Sequence, residues 1–107
     1  MSYEIRPQAL KAKLDAGEPV YLVDVREPDE YAICRLPGGV LIPMGEVVGR
    51  LDDIAAAEAP VVVYCHHGVR SLRVVGFLRA NGVPDAVSLA GGIEAGSTQI
   101  DPTVPRY

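Results

Sequence analysis

Short apolar runs alternate with amphipathic stretches along this chain. Pro7 through Asp15 carries Ala9, Leu10 and Leu14 as an apolar stripe, opens on a proline and stops at Gly17, which predicts a helix. VYLVDV, from Val20 to Val25, predicts a strand. PDEYAI starts at Pro28 with a proline and two acidic residues, as a short helix should. Pro37, Gly38 and Gly39 turn the chain into a short strand, Val40 to Ile42, and Met44 to Leu51 predicts a further short helix. Pro60 introduces Val61-Val62-Val63-Tyr64, apolar at every position. Ser71 to Ala80 predicts a helix with Leu72, Val75, Phe77 and Leu78 apolar, Arg73 and Arg79 in solvent, and Asn81-Gly82 at its end. Ala86 to Leu89 predicts a last strand, Gly91 and Gly92 turn into a final short helix, and the tail IDPTVPRY predicts an extended segment on the surface.

Strands separated by helices imply βαβ units, hence an α/β fold with a parallel sheet covered on both faces. The VVVY strand should be central, because nothing on it suits water. In such sheets ligands bind beyond the carboxyl ends of the strands. Two polar segments stand at such ends: Asp24-Val25-Arg26-Glu27, and Cys65 onward.

Composition narrows the classes. The 107 residues suit one domain, read as 1–107, with an aliphatic core, since the aromatic residues are five Tyr and one Phe. A net charge of −4 argues against a nucleic-acid binder and against an anionic membrane surface, while leaving room for a small anionic substrate at a local site. Two cysteines make no disulfide framework. The opening MSYEIRPQAL has no basic stretch followed by an apolar one, and no apolar run reaches spanning length. The expected setting is cytoplasmic and reducing, where a thiol stays available for chemistry.

Cys65 is the leading candidate for that chemistry. It ends the central strand, Gly68 lets the backbone turn, and Ser71 opens a helix. A short loop entering a helix gathers backbone N–H groups around one point and adds the helix dipole. A thiol there has its pKa lowered, and Arg70 adds positive charge. Those are the needs of a nucleophile that also holds an anionic group on its sulfur. A free Cys is often only a small buried hydrophobe, but the glycine, the arginine, the helix start and the sheet edge agree on the catalytic reading.

The loop Cys65-His66-His67-Gly68-Val69-Arg70 resembles the active-site loop of the rhodanese-like sulfurtransferases. Three further segments are similar to that family in order: LVDVREPDEY (Leu22 to Tyr31), LPGGVLIPMGEV (Leu36 to Val47) and LAGGI (Leu89 to Ile93). The ending DPTVPRY is similar to rhodanese domains fused to activating enzymes of the molybdopterin and thiamine pathways. The resemblance implies a rhodanese-like fold: a mostly parallel, five-stranded sheet with helices on both faces. It implies ping-pong sulfur transfer without metal or organic cofactor. Cys65 would take a sulfane sulfur from thiosulfate or a protein persulfide and hand it to cyanide, a thiol or a sulfur-carrier protein. The backbone N–H groups of His66, His67, Gly68, Val69, Arg70 and Ser71 would cradle the sulfur, and Arg70 would attract the anionic donor.

Two alternatives come from other classes. The first is an arsenate reductase or phosphatase-like enzyme of the same fold, whose phosphatase branch carries Cys-x5-Arg. This chain has Cys65-x4-Arg70, and the shorter loop suits one sulfur better than a tetrahedral phosphate. A non-enzymatic partner-binding module is the other, although inactive relatives typically lose the cysteine that this chain keeps.

The remaining candidates are weaker. His66 and His67 adjoin Cys65, but neighbours on a tight loop usually point apart, so no metal is expected and the histidines should line the pocket mouth. Asp24 and Arg26 suit a supporting ion pair that holds neighbouring loops, with Arg26 adding positive potential near Cys65. Cys34 stands where the family usually has Gly-His, and local packing is the favoured role over a resolving thiol. Gly96 stands where relatives often carry Trp, which predicts a looser or differently packed last helix.

Overall fold

The computed structural model describes residues 3–99 and 102–106. Within them five strands alternate with five α-helices: β1 (Glu4–Ile5), α1 (Pro7–Asp15), β2 (Tyr21–Asp24), α2 (Pro28–Ile33), β3 (Val40–Leu41), α3 (Leu51–Ala55), β4 (Val61–Tyr64), α4 (Val69–Ala80), β5 (Val87–Leu89) and α5 (Gly92–Gln99). The sheet order is β1-β5-β4-β2-β3, and every neighbouring pair is parallel. The α/β parallel sheet expected from the sequence is therefore present, with β4 in its centre. Among the described residues no helix is long and apolar enough to cross a membrane.

Alternation along β4 divides the core. Val61, Val63 and Cys65 pack on one face with Ile54, Val74, Val75 and Leu78, while Val62 and Tyr64 pack on the other with Leu10, Leu36, Leu89 and Ile93. Each fully buried Val, Leu or Ile contributes roughly 1.5–3 kcal/mol of transfer free energy, so an aliphatic core holds without Trp.

Several boundaries differ from the sequence pattern. β1 was not expected, because two residues with one half-buried side chain carry no readable period. Met44 to Leu51 is not one helix but two single 3-10 turns, Met44–Glu46 and Val48–Arg50, leading into α3. Gly45 and Gly49 interrupt that stretch and lower its helix propensity. α4 starts at Val69 rather than Ser71, because Gly68 (φ +107°) ends the loop in a left-handed conformation and its carbonyl accepts the Leu72 N–H at 3.1 Å. Its buried positions are Ser71, Val74, Val75 and Leu78, a true i, i+3, i+4, i+7 stripe that turns Leu72 outward. The tail is not wholly superficial: Val104 is buried and its carbonyl accepts the Ser97 hydroxyl at 2.6 Å, while Ile100, Asp101 and Tyr107 lie outside the described residues.

A buried ion pair braces the carboxyl edge of β2. Arg26 Nε and Nη2 donate to the two Asp24 carboxylate oxygens at 2.9 and 2.7 Å, with both side chains inaccessible to water. Arg26 Nη2 also donates to the Cys34 carbonyl at 2.6 Å, and Nη1 to the Glu30 carbonyl at 3.4 Å. The pair thus ties β2 to α2. Substituting Asp24→Asn leaves a buried guanidinium short of its counter-charge. Urea denaturation should register a loss of about 3–5 kcal/mol.

Candidate active site

Cys65 follows β4 directly and is 1% exposed. Three groups converge on its sulfur. The N–H groups of Gly68 and Ser71 donate to Sγ at 3.1 and 3.4 Å, and Ser71 Oγ lies at 3.4 Å. Ser71 Oγ is itself held by the Gly68 carbonyl at 3.2 Å and by Ser88 Oγ at 2.7 Å. Ser88 is fully buried on β5. Its role had no local signal, since a serine in a short strand reads as an ordinary polar position.

The loop can turn its N–H groups inward because its carbonyls are taken from behind. Ile93 N–H donates to the Cys65 carbonyl at 2.8 Å, and Glu94 N–H to the His66 carbonyl at 3.1 Å. The first turn of α5 therefore caps the loop. Gly92 makes this approach possible: a β-carbon there would stand 2.4 Å from both carbonyl oxygens, and its φ is +61°.

Burial pushes the Cys65 thiol upward, but the Ser71 hydroxyl and the N–H groups of Ser71, Gly68 and Arg70 outweigh it. The net shift is downward, toward the thiolate. The Val69 side chain projects into solvent at the start of α4.

Arg70 points away from the sulfur's immediate shell. Its Nη1 and Nη2 donate to Glu30 Oε1 and Oε2 at 2.7 and 2.9 Å, a two-pronged pair spanning forty residues. Glu30 also accepts the Glu27 N–H at 3.1 Å, closing the start of α2. The charge expected to draw the donor is thus met by a carboxylate that sequence inspection passed over. Asp24 and Arg26 form the buried brace already described.

His66 and His67 do not point apart. Their rings stack at 4.0 Å between centroids with 24° between planes. Glu94 completes a cluster whose ligand-type atoms lie within 4.8 Å of one another. Near-parallel rings cannot both point their lone pairs at one ion at a metal–nitrogen length of about 2 Å. Glu94 Oε1 also accepts Arg106 Nε at 2.7 Å. The arrangement is therefore that of a stacked pair, of which His67 lines a groove beside the loop.

Cys34 is buried on the opposite face of the sheet from Cys65, with Leu36 and Tyr64, and both cysteines are free thiols. Gly96 is filled by Leu36, whose Cδ2 would stand 3.0 Å from a β-carbon, so the last helix is packed differently rather than loosely. An open groove of about 400 Å³ runs along the loop, lined by Glu4, His67, Gly68, Val69, Leu72 and Arg73.

Comparison with known proteins places this geometry. The sequence model described as the rhodanese-like domain matches residues 6–99. MoeZ of Mycobacterium tuberculosis, described as a probable adenylyltransferase/sulfurtransferase, is 37% identical over 96% of this chain and 26% of its own length. The chain thus spans about a quarter of that relative. A protein of Allochromatium vinosum named sulfurtransferase is 35% identical over 89% of this chain and 88% of its own. The crystal structure of a rhodanese-like domain protein from Staphylococcus aureus is 34% identical, with a TM-score of 0.81 over 100% of this chain and 99% of that one.

The Ser71 contact yields a measurable shift. Replacing Ser71 with Ala removes one hydrogen bond to the thiolate, which should raise the apparent Cys65 pKa. The pH dependence of iodoacetamide alkylation reads this directly. The wild type should reach half-maximal rate below the pH of an ordinary cysteine.

Proposed function

The chain belongs to the rhodanese-like domain family, and from that premise we propose that it is a sulfurtransferase working through a persulfide on Cys65. The observation that carries the reading is the convergence of N–H and O–H donors on one buried sulfur at the carboxyl end of the central strand. A structural cysteine has no use for such a shell. A sulfur that must alternate between thiolate and persulfide does.

The proposed cycle has two halves. Cys65 thiolate attacks the outer sulfur of the donor. A new S–S bond forms at Sγ, and the donor's own bond to that sulfur breaks. The electron pair leaves with sulfite when the donor is thiosulfate, or with a thiolate when it is a persulfide. The terminal sulfur is then taken by a nucleophilic acceptor: cyanide, a thiol or a sulfur-carrier protein. The Cys65–sulfur bond breaks and its electron pair returns to Sγ. Ser71 supports both halves, because its hydroxyl can accept from a thiol and donate to a thiolate, with Ser88 donating to Ser71 in the second case. His66 and His67 would wall the approach, and the Gly68 and Ser71 N–H groups already on Sγ would lead the cradle expected from the loop between His66 and Ser71. No metal or organic cofactor enters this cycle.

The arrangement favours sulfur over phosphate. Gly68 and Ser71 direct their N–H groups to Sγ itself. A phosphoenzyme needs donors for three equatorial oxygens outside the sulfur, and the four-residue span from Cys65 to Arg70 makes a small ring.

Initial-rate kinetics test the reading. Double-reciprocal plots against donor at several cyanide concentrations should give parallel lines, the signature of a two-step exchange. Cys65→Ser should reduce transfer to background. Phosphate-ester or arsenate turnover exceeding sulfur transfer would assign the loop to the other chemistry.

A further inference from the structure

We propose that Glu30 sets the charge of the donor this site accepts, acting through Arg70. The proposal rests on the sulfurtransferase reading and narrows its substrate class to sulfane sulfur carried as a persulfide, with small dianions such as thiosulfate disfavoured.

Charge placement around the loop decides which donors fit. Arg70 is the only Lys or Arg between Cys65 and Ser71. A sulfonate entering with thiosulfate brings two negative charges to the loop mouth, beside a thiolate. It needs a cation there whose charge is not already met. Arg70 is engaged by both oxygens of Glu30, and the pair is partly sheltered, with side chains 31% and 17% exposed. Planar two-pronged pairing of this kind is the strongest form of the arginine–carboxylate contact. Arg26 is committed to Asp24 inside the protein. Arg106 is committed to Glu94 beside the histidines. Arg73 lines the groove, but Glu4 lines it too. What the sulfur meets directly is a shell of uncharged donors: Gly68 N–H, Ser71 N–H and the Ser71 hydroxyl. Such a shell holds one anionic sulfur and offers little to a second anion.

The placement of Glu30 is built in rather than incidental. Arg26 binds the Glu30 carbonyl, and the Glu27 N–H binds the Glu30 carboxylate. α2 is thereby fixed against β2 with its acid aimed at the loop. A persulfide donor R–S–SH suits this site: Cys65 thiolate takes the outer sulfur, R–S⁻ leaves, and the proton stays on the new Cys65 persulfide. No dianion needs to be held.

Glu30→Gln is the informative variant, because glutamine can still cap the start of α2 while the countercharge on Arg70 is removed. The donors are thiosulfate and the persulfide of 2-mercaptoethanol, whose organic part is uncharged. Glu30→Gln should lower the thiosulfate KM by roughly fivefold or more at low salt, and the gain should shrink as salt screens it. The KM for the mercaptoethanol persulfide, which carries at most one negative charge against two on thiosulfate, should change by no more than about twofold, and kcat for both donors should move little by comparison. Adding Arg70→Gln to Glu30→Gln should cancel the thiosulfate gain, since the effect passes through that guanidinium. An unchanged thiosulfate KM in a folded Glu30→Gln protein, or a gain that survives in the double variant, would overturn the proposal. Should Glu30→Gln fail to fold by circular dichroism, the wild type decides. Sulfite release from thiosulfate should then lag thiol release from the mercaptoethanol persulfide by at least about tenfold at equal concentration, and equal rates would overturn the proposal. Transfer from neither donor would instead remove the sulfurtransferase reading itself.

Discussion

The carbonyl groups of Cys65 and His66 face away from the sulfur, and the site depends on that. A loop that turns its N–H groups inward must turn carbonyls outward, and buried carbonyls need donors. The first turn of α5 supplies them, through Ile93 and Glu94. A helix start has N–H groups without partners inside the helix, so the two deficits cancel. The close approach demands glycine at position 92, where any side chain would collide with both carbonyls. Remove that contact and the loop loses the reason to keep its donors on one point.

A second line of contacts runs along the same sheet edge. Asp24 holds Arg26, Arg26 holds the carbonyls at the end of α2, and α2 presents Glu30 to Arg70 on α4. The buried pair is costly to desolvate, and its use here is positional: it fixes α2 against the end of β2. The cradle around Cys65 is made of neutral donors, whereas the charges near it are matched in pairs. In the proposed function, that division would separate the group that reacts from the groups that set which donors approach.

Much of this was legible in the sequence. VVVY announced the central strand because all four residues are apolar and all four are buried. Gly68 and Gly92 marked the turns on either side of the loop. The strand end, the glycine and the helix start singled out Cys65 as the expected nucleophile, and the family resemblance agreed. What escaped were interactions between segments far apart in sequence. Glu30 read as a helix-start acid, and nothing local says that it meets Arg70. Ser88 carried no signal, because its value lies in touching Ser71 across the sheet. The phase of α4 was misplaced for the same reason: Leu72 is the more apolar residue, yet Ser71 takes the inward position beside Cys65, and Leu72 is 39% exposed. The histidines stack instead of diverging, a geometry their adjacency did not announce. β1 was too short to show a period.

The central claim is that the sulfur of Cys65 is held as a carrier. Mass spectrometry of the protein after brief exposure to a sulfur donor tests it most directly. The account predicts one added sulfur atom on the peptide bearing Cys65, released by cyanide or by a thiol. No adduct with any donor, or an adduct found on Cys34 instead, would contradict it.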